Sequence, residues 1–148
     1  MDELIAASRI VLANVFLMYF KSHSNHWNVE GPNFSQYHSF LGDLYNDLFD
    51  SVDTFAEEMR ALDVYAPVSL MELYNYKTVQ EDSAKPVTAL VMLGNLAVMN
   101  QQVIDSLNKL FAACTAQNKQ GFANFVADRI DKHNKHGWML RSFLKSGE

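Results

Sequence analysis

Two histidines and two acids are the residues best placed to do chemistry. His26-Trp27 is followed twelve positions later by His38, and Asp53 and Glu57 come after it, four apart. Imidazole nitrogens and carboxylate oxygens together form a donor set for borderline divalent ions such as iron, zinc or manganese, rather than for a thiol-loving metal. With iron, such a site keeps open positions at which redox chemistry can occur. If His38 and Asp53 lie on one continuous helix, a rise of about 1.5 Å per residue sets their backbones roughly 22 Å apart. The four side chains therefore cannot converge within one copy of the chain, and a shared site needs two subunits.

The elements that must position these residues are helical. Apolar residues recur at helical spacing almost throughout, and no segment shows convincing period-two alternation. A first helix is predicted from Glu3 to Trp27, ending before Gly31-Pro32. Asn33 is a candidate cap for the second, with Gln36 three positions on in a capping-box arrangement. That second helix carries Leu41, Leu44, Leu48, Val52, Phe55, Met59 and Leu62 at the three-and-four spacing of a bundle seam. Asp63 to Val68 breaks the pattern at Pro67, and Ser69 to Tyr76 can form one short helix inside a long crossover. A third long helix is expected from Pro86, tolerated in a first turn, to about Ala113, and a fourth from about Gly121 to Leu144. This is an all-α, ferritin-like four-helix bundle with a short helix in the long crossover between the second and third long helices.

Composition bounds the possibilities. A chain of 148 residues, 49% hydrophobic and 12% aromatic, is the size of one domain spanning 1–148 and can bury one substantial core. The single cysteine, Cys114, cannot close an internal disulfide, which points to a reducing, cytoplasmic setting. A formal net charge of −5 argues against a generic nucleic-acid footprint. The apolar run from Ile10 to Phe20, broken by Asn14, is too short to span a bilayer, so no membrane role is expected, and it reads as a helix buried on more than one side.

In a ferritin-type bundle, the usual di-iron site draws a Glu from two helices and a Glu-x-x-His from each of the other two. Here the third long helix offers only Asp105, and no Glu-x-x-His occurs. Pairing the second helix antiparallel with its symmetry mate would instead bring His26 and His38 of one copy to Asp53 and Glu57 of the other, an isologous contact holding two equivalent sites.

The stretch His23-Ser-Asn-His26-Trp27-Asn-Val-Glu-Gly31-Pro-Asn-Phe34, then His38, then Asp53-Thr-Phe-Ala-Glu57, resembles the signature of the Dps-like miniferritins. The likeness continues through Arg60-Ala-Leu, the crossover Ala66-Pro67-Val-Ser-Leu70 with Tyr74, and the closing Trp138-Met-Leu-Arg141-Ser-Phe-Leu144. The resemblance implies a hollow dodecamer that binds ferrous iron across two-fold interfaces, oxidises it with hydrogen peroxide as a ferroxidase-type oxidoreductase, and stores ferric mineral against oxidative damage. By motif, His26 and His38 are ligands from one subunit and Asp53 and Glu57 from its partner. His23 and Trp27 stand beside them, His23 supporting a ligand by hydrogen bonding.

Two departures from that pattern matter. The family usually has an aspartate four residues after His38, where this chain has Gly42. Asp43 is next in line but points about 100° away on a helix. The site of His26, Asp53 and Glu57 should be intact while the second iron position, near His38, lacks a ligand. Reduced oxidation, or a non-catalytic shell with zinc as a substitute metal, is the alternative. Relatives that bind DNA through a tail carry a basic extension, whereas this chain begins Met1-Asp2-Glu3-Leu4 and closes on Lys145-Ser-Gly-Glu148. Lys119, Arg129, Lys132, Lys135, Arg141 and Lys145 read more simply as a solvated helix face than as a DNA patch. His133 follows the stripe of Phe122, Val126 and Ile130 and reads as a satisfied interior or interface histidine.

Overall fold

The computed structural model describes residues 1–82 and 85–146; Gly147 and Glu148 of the closing tetrapeptide lie outside the described residues. Among the described residues there are five helices and no strand: α1 (Asp2–Asn28), α2 (Phe34–Ala61), α3 (Leu70–Tyr76), α4 (Ala89–Ala116) and α5 (Gln120–Leu144). α1 packs along α2 and α4, α4 packs along α5, and α3 leans on α1. The connections from α1 to α2 and from α4 to α5 are only a few residues long, as suits antiparallel neighbours, and the long connection carrying α3 crosses from α2 to α4. The fold is the all-α ferritin-like bundle with its crossover helix.

The apolar seam fills the centre. Leu41, Leu44, Leu48, Phe55 and Met59 of α2 are buried against Leu4, Val11, Val15 and Met18 of α1, Leu93, Leu96, Val103 and Leu107 of α4, and Val126 and Leu140 of α5. Burying one such side chain stabilises the fold by roughly 1.5–3 kcal/mol.

Helix ends show where local chemistry overrules a simple reading. Asn33 occupies the cap position of α2 but makes no side-chain capping bond, so the expected capping box does not form. Pro86 stays outside α4; the helix starts three residues later, with Thr88 Oγ1 accepting from Val91 N–H. α3 is capped as a box would be: Ser69 Oγ accepts from Glu72 N–H at 3.1 Å, while Glu72 Oε2 accepts from Val68 N–H at 3.0 Å. Gly31 sits at φ +118°, a conformation open essentially to glycine, and lets the chain reverse between α1 and α2. After α2 and α4 the chain turns through Asp63 (φ +61°) and Asn118 (φ +57°), where Val64 N–H bonds Met59 O and Lys119 N–H bonds Cys114 O, closing both helices.

Asn14, the one polar residue in the apolar run of α1, is fully buried. Its Oδ1 accepts from the N–H groups of Thr78 (2.8 Å) and Val79 (3.2 Å), and its Nδ2 donates to Thr78 Oγ1 at 2.8 Å. A single side chain thus staples the end of the crossover onto α1. The run is also longer than eleven residues suggests. α1 as a whole has a mean hydropathy of 1.6 over its most apolar 18 residues and is long and apolar enough to cross a membrane by length and composition. In this fold half of that window is buried inside the bundle, which agrees with burial on more than one side.

Candidate metal centre

His26, one turn from the end of α1, and His38, in the first turns of α2, meet across the α1–α2 reversal. Their rings stack with centroids 3.7 Å apart and 16° between planes. His26 Nδ1 lies 2.7 Å from the carbonyl oxygen of His38, and His38 Nδ1 lies 2.7 Å from that of His26. A carbonyl oxygen only accepts, so both Nδ1 atoms carry hydrogen, and in the neutral rings the lone pair is the one on Nε2. This crossed pair fixes the tautomer a metal-binding imidazole needs and fixes both rings against rotation.

On the exposed side of α2, one turn apart, Asp53 and Glu57 share a hydrogen bond. That bond, Asp53's charge and slight desolvation hold the Glu57 carboxyl above its usual range. Two carboxylates so close repel each other, and a cation bound between them would relieve that repulsion. Nitrogen and oxygen donors thus stand as two prepared pairs. Among the described residues no three His, Cys, Asp or Glu side chains converge as a metal-binding group, in keeping with imidazoles and carboxylates too far apart to meet in one chain.

Gly42 lies against His26: a Cβ there would stand 3.2 Å from Cε1 and 3.4 Å from Nδ1 of the ring. The position therefore contributes no ligand, and a larger residue would press on an imidazole already held by His38. Asp43 is exposed, one position further round the helix. His23 does not support a ligand in the expected way. Its Nδ1 pairs with the Tyr19 hydroxyl at 3.0 Å, and its ring stacks on Tyr45 at 3.8 Å and 7°. Trp27 faces the His23 ring at 4.3 Å and is 57% exposed. Burial, with the charge of His26 adding, lowers the pKa of His23.

One cluster escapes a reading of spacing alone. In the bundle interior, Asp47 of α2 accepts two bonds from the Arg129 guanidinium at 2.9 Å each and a third from His136 Nε2 at 2.7 Å. Arg129 also donates to His133 Nε2 at 3.2 Å, and His133 Nδ1 donates to Asn100 Oδ1 at 2.9 Å. Arg129 is therefore buried, not part of a solvated basic face, and His133 is the satisfied interior histidine anticipated. Burial works to raise the Asp47 carboxyl, but the bonds from His136 and Arg129 and their charges outweigh it and hold it well below the usual carboxylate range. Burial, aided by the neighbouring Arg129 and His136, pushes His133 well below an ordinary imidazole. The available signal was Arg129, His133 and His136 at i, i+4 and i+7, one helix face shared with buried Val126 and Leu140. A guanidinium thus stands between Asp47 and His133, an ion pair set beside the apolar seam.

The sequence matches the ferritin-like domain family over residues 9–148. An uncharacterized low temperature-induced protein of Nostoc sp. is 30% identical over 135 residues, spanning 90% of this chain and 75% of that protein. A protein of Brevibacillus brevis named DNA protection during starvation protein is 29% identical over 140 residues, 90% of this chain and 89% of that one. The crystal structure of Dps from Staphylococcus aureus superposes with a TM-score of 0.93 at 25% identity, covering 99% of this chain and 98% of that one. A bundle with this crossover helix, carrying prepared imidazole and carboxylate pairs on α1 and α2 and matching along nearly its whole length, belongs to the ferritin-like family as a Dps-like miniferritin.

Proposed function

We propose that this miniferritin binds ferrous iron where two subunits meet about a two-fold axis, with His26 and His38 from one and Asp53 and Glu57 from the other. It oxidises the ion with hydrogen peroxide or dioxygen and stores ferric mineral inside a hollow shell, a dodecamer by family resemblance, and so protects the cytoplasm from peroxide. The observation that carries this reading is the crossed pair of 2.7 Å bonds, which leaves two Nε2 lone pairs free at one place. Exposed apolar side chains next to the pairs, among them Phe20, Trp27 and Phe49, support burial of this face against another copy. Gly42 favours a second reading, in which one iron position is weak and the shell binds iron, or zinc in its place, with little oxidation.

Complementation tests the shared site. Subunits bearing His26→Ala and His38→Ala are co-assembled with subunits bearing Asp53→Asn and Glu57→Gln. Each parent assembly is expected to oxidise ferrous iron no faster than solution, whereas random pairing restores about a quarter of native sites, since each mixed two-fold pair has one seam with all four native side chains. No recovery in the mixture would refute the intersubunit site. Native assembly that fails to exceed the spontaneous rate would refute ferroxidase activity. Gly42→Asp separates the two readings: a large gain in rate marks the native protein as short of one ligand, provided His26 yields the few tenths of an ångström that a Cβ demands.

A further inference from the structure

Oxidisable rings lead away from the imidazole pair in close steps. His26 stands 5.2 Å from Tyr45 by ring centroids, Tyr45 stacks on His23 at 3.8 Å, and Tyr19 lies 6.3 Å from Tyr45. Trp27 joins through His23 at 4.3 Å. The end of the path differs from the rest of it. The Tyr19 hydroxyl is paired with His23 Nδ1 at 3.0 Å, and the Phe49 and Phe16 rings stand 5.1 and 5.7 Å from its own. A phenol gives up an electron readily only when its proton can leave at the same time, because the oxidised phenol is a very strong acid. A neutral imidazole within hydrogen-bond reach is a suitable acceptor for that proton.

The seam has a use for such a donor. Reducing hydrogen peroxide to water takes two electrons, and at the position where the family resemblance implies an acid for a second iron this chain has Gly42, which brings no ligand. One ferrous ion supplies one electron, and the other must come from elsewhere if hydroxyl radical is not to escape.

We propose that Tyr19, paired with His23, supplies that second electron through Tyr45, so that a protein ring takes the place of the missing iron. The inference rests on the ferroxidase reading above. In the first half-cycle the ferrous ion becomes ferric and the Tyr19 phenol becomes a neutral phenoxyl radical. The O–O bond breaks, and two waters form with two protons, one from the phenol by way of His23 and one from solvent. In the second half-cycle another ferrous ion reduces the radical, becoming ferric, and a proton delivered through His23 restores the phenol. Over the cycle two ferrous ions and two protons are consumed per peroxide, although only one ion is held at a time.

The test combines rapid-freeze electron paramagnetic resonance with the ferric absorbance of the assembled protein, given one ferrous ion per seam and excess hydrogen peroxide. The native protein is expected to show a tyrosyl radical and to oxidise one iron per peroxide consumed in the first turnover. Tyr19→Phe should lower the tyrosyl signal and raise trapped hydroxyl radical. His23→Leu keeps the phenol but removes its base, and should slow radical formation about tenfold, the rate equivalent of one lost hydrogen bond. The same ordering is expected in metal-free protein oxidised by a flash-generated one-electron oxidant, where no iron chemistry enters. An undiminished tyrosyl signal in Tyr19→Phe would overturn the proposal. So would a native protein that oxidises two ferrous ions per peroxide in the first turnover without a radical. Absence of any iron oxidation would instead overturn the ferroxidase reading, and the metal-free arm would still decide whether Tyr19 and His23 act together.

Discussion

Arg129 holds the interior together at the scale of single residues. Its guanidinium is the main counter-charge of Asp47, whose side chain keeps 23% of its exposure. Breaking a buried pair by removing one partner typically costs about 3–5 kcal/mol, because the remaining charge is stranded. Arg129→Met is expected near the lower end, given that partial exposure, and Asp47→Leu added to it should recover most of the loss; urea unfolding of the single and double variants measures both. The same cluster sets a pH dependence. His133 takes up a proton in the unfolded chain near its ordinary 6.5 but resists it when folded, so protons bind the unfolded state preferentially. Stability is therefore level above about pH 6.5 and falls with acidification below it, and Asp47, held low in the fold, adds a further loss below about pH 4. Thermal melts across this range should show the decline, and His133→Asn should flatten its first part. Asp53 and Glu57 could be paired from the sequence because four residues make one helical turn, whereas His26 and His38, twelve apart on two helices, meet only through the α1–α2 reversal. Asp47, Asn100, Arg129 and His136 were not legible: the side chains they bond lie 33 to 89 residues away in the chain and meet only when three helices pack.

Element by element, the sequence places the starts of α2 and α3 correctly and misses that of α4. Asn33 stands at the cap position of α2, though without a side-chain capping bond, and Ser69 caps α3, whereas Pro86 is left outside α4 because Thr88 takes its cap. The helix bodies were readable because their apolar spacing is enforced by burial on every turn. Asn14 shows the opposite case, a polar residue inside an apolar run whose purpose appears only with its partners. Asn14→Ala strands the amides of Thr78 and Val79 and should cost about 2–3 kcal/mol, in line with buried donors left unsatisfied. Hydrogen exchange should show those two amides losing protection. Ser69→Ala removes the α3 cap, at about 1 kcal/mol, and its faster exchange should stay confined to the crossover helix.

The whole molecule is apolar where a subunit of a shell would be covered. Val68 and Met71, 87% and 76% exposed, stand out from the crossover with Leu70, while Phe20, Trp27 and Phe49 line the face of α1 and α2 near the two donor pairs. Introducing charge there, as in Leu70→Lys with Met71→Lys, should leave helix content unchanged by circular dichroism yet, on the proposed shell, shift the protein to small species on size exclusion. Ferrous oxidation should disappear with the assembly. Cys114 provides a way to watch the subunit itself. It is wholly buried near the end of α4, and burial first, then the charge of Glu58, pushes its thiol up to about 11. As the chain's sole sulfhydryl, it is a built-in stopwatch: a disulfide reagent can strike it only during the moments when α4 parts from its neighbours, so each labelled molecule records one breath of the bundle.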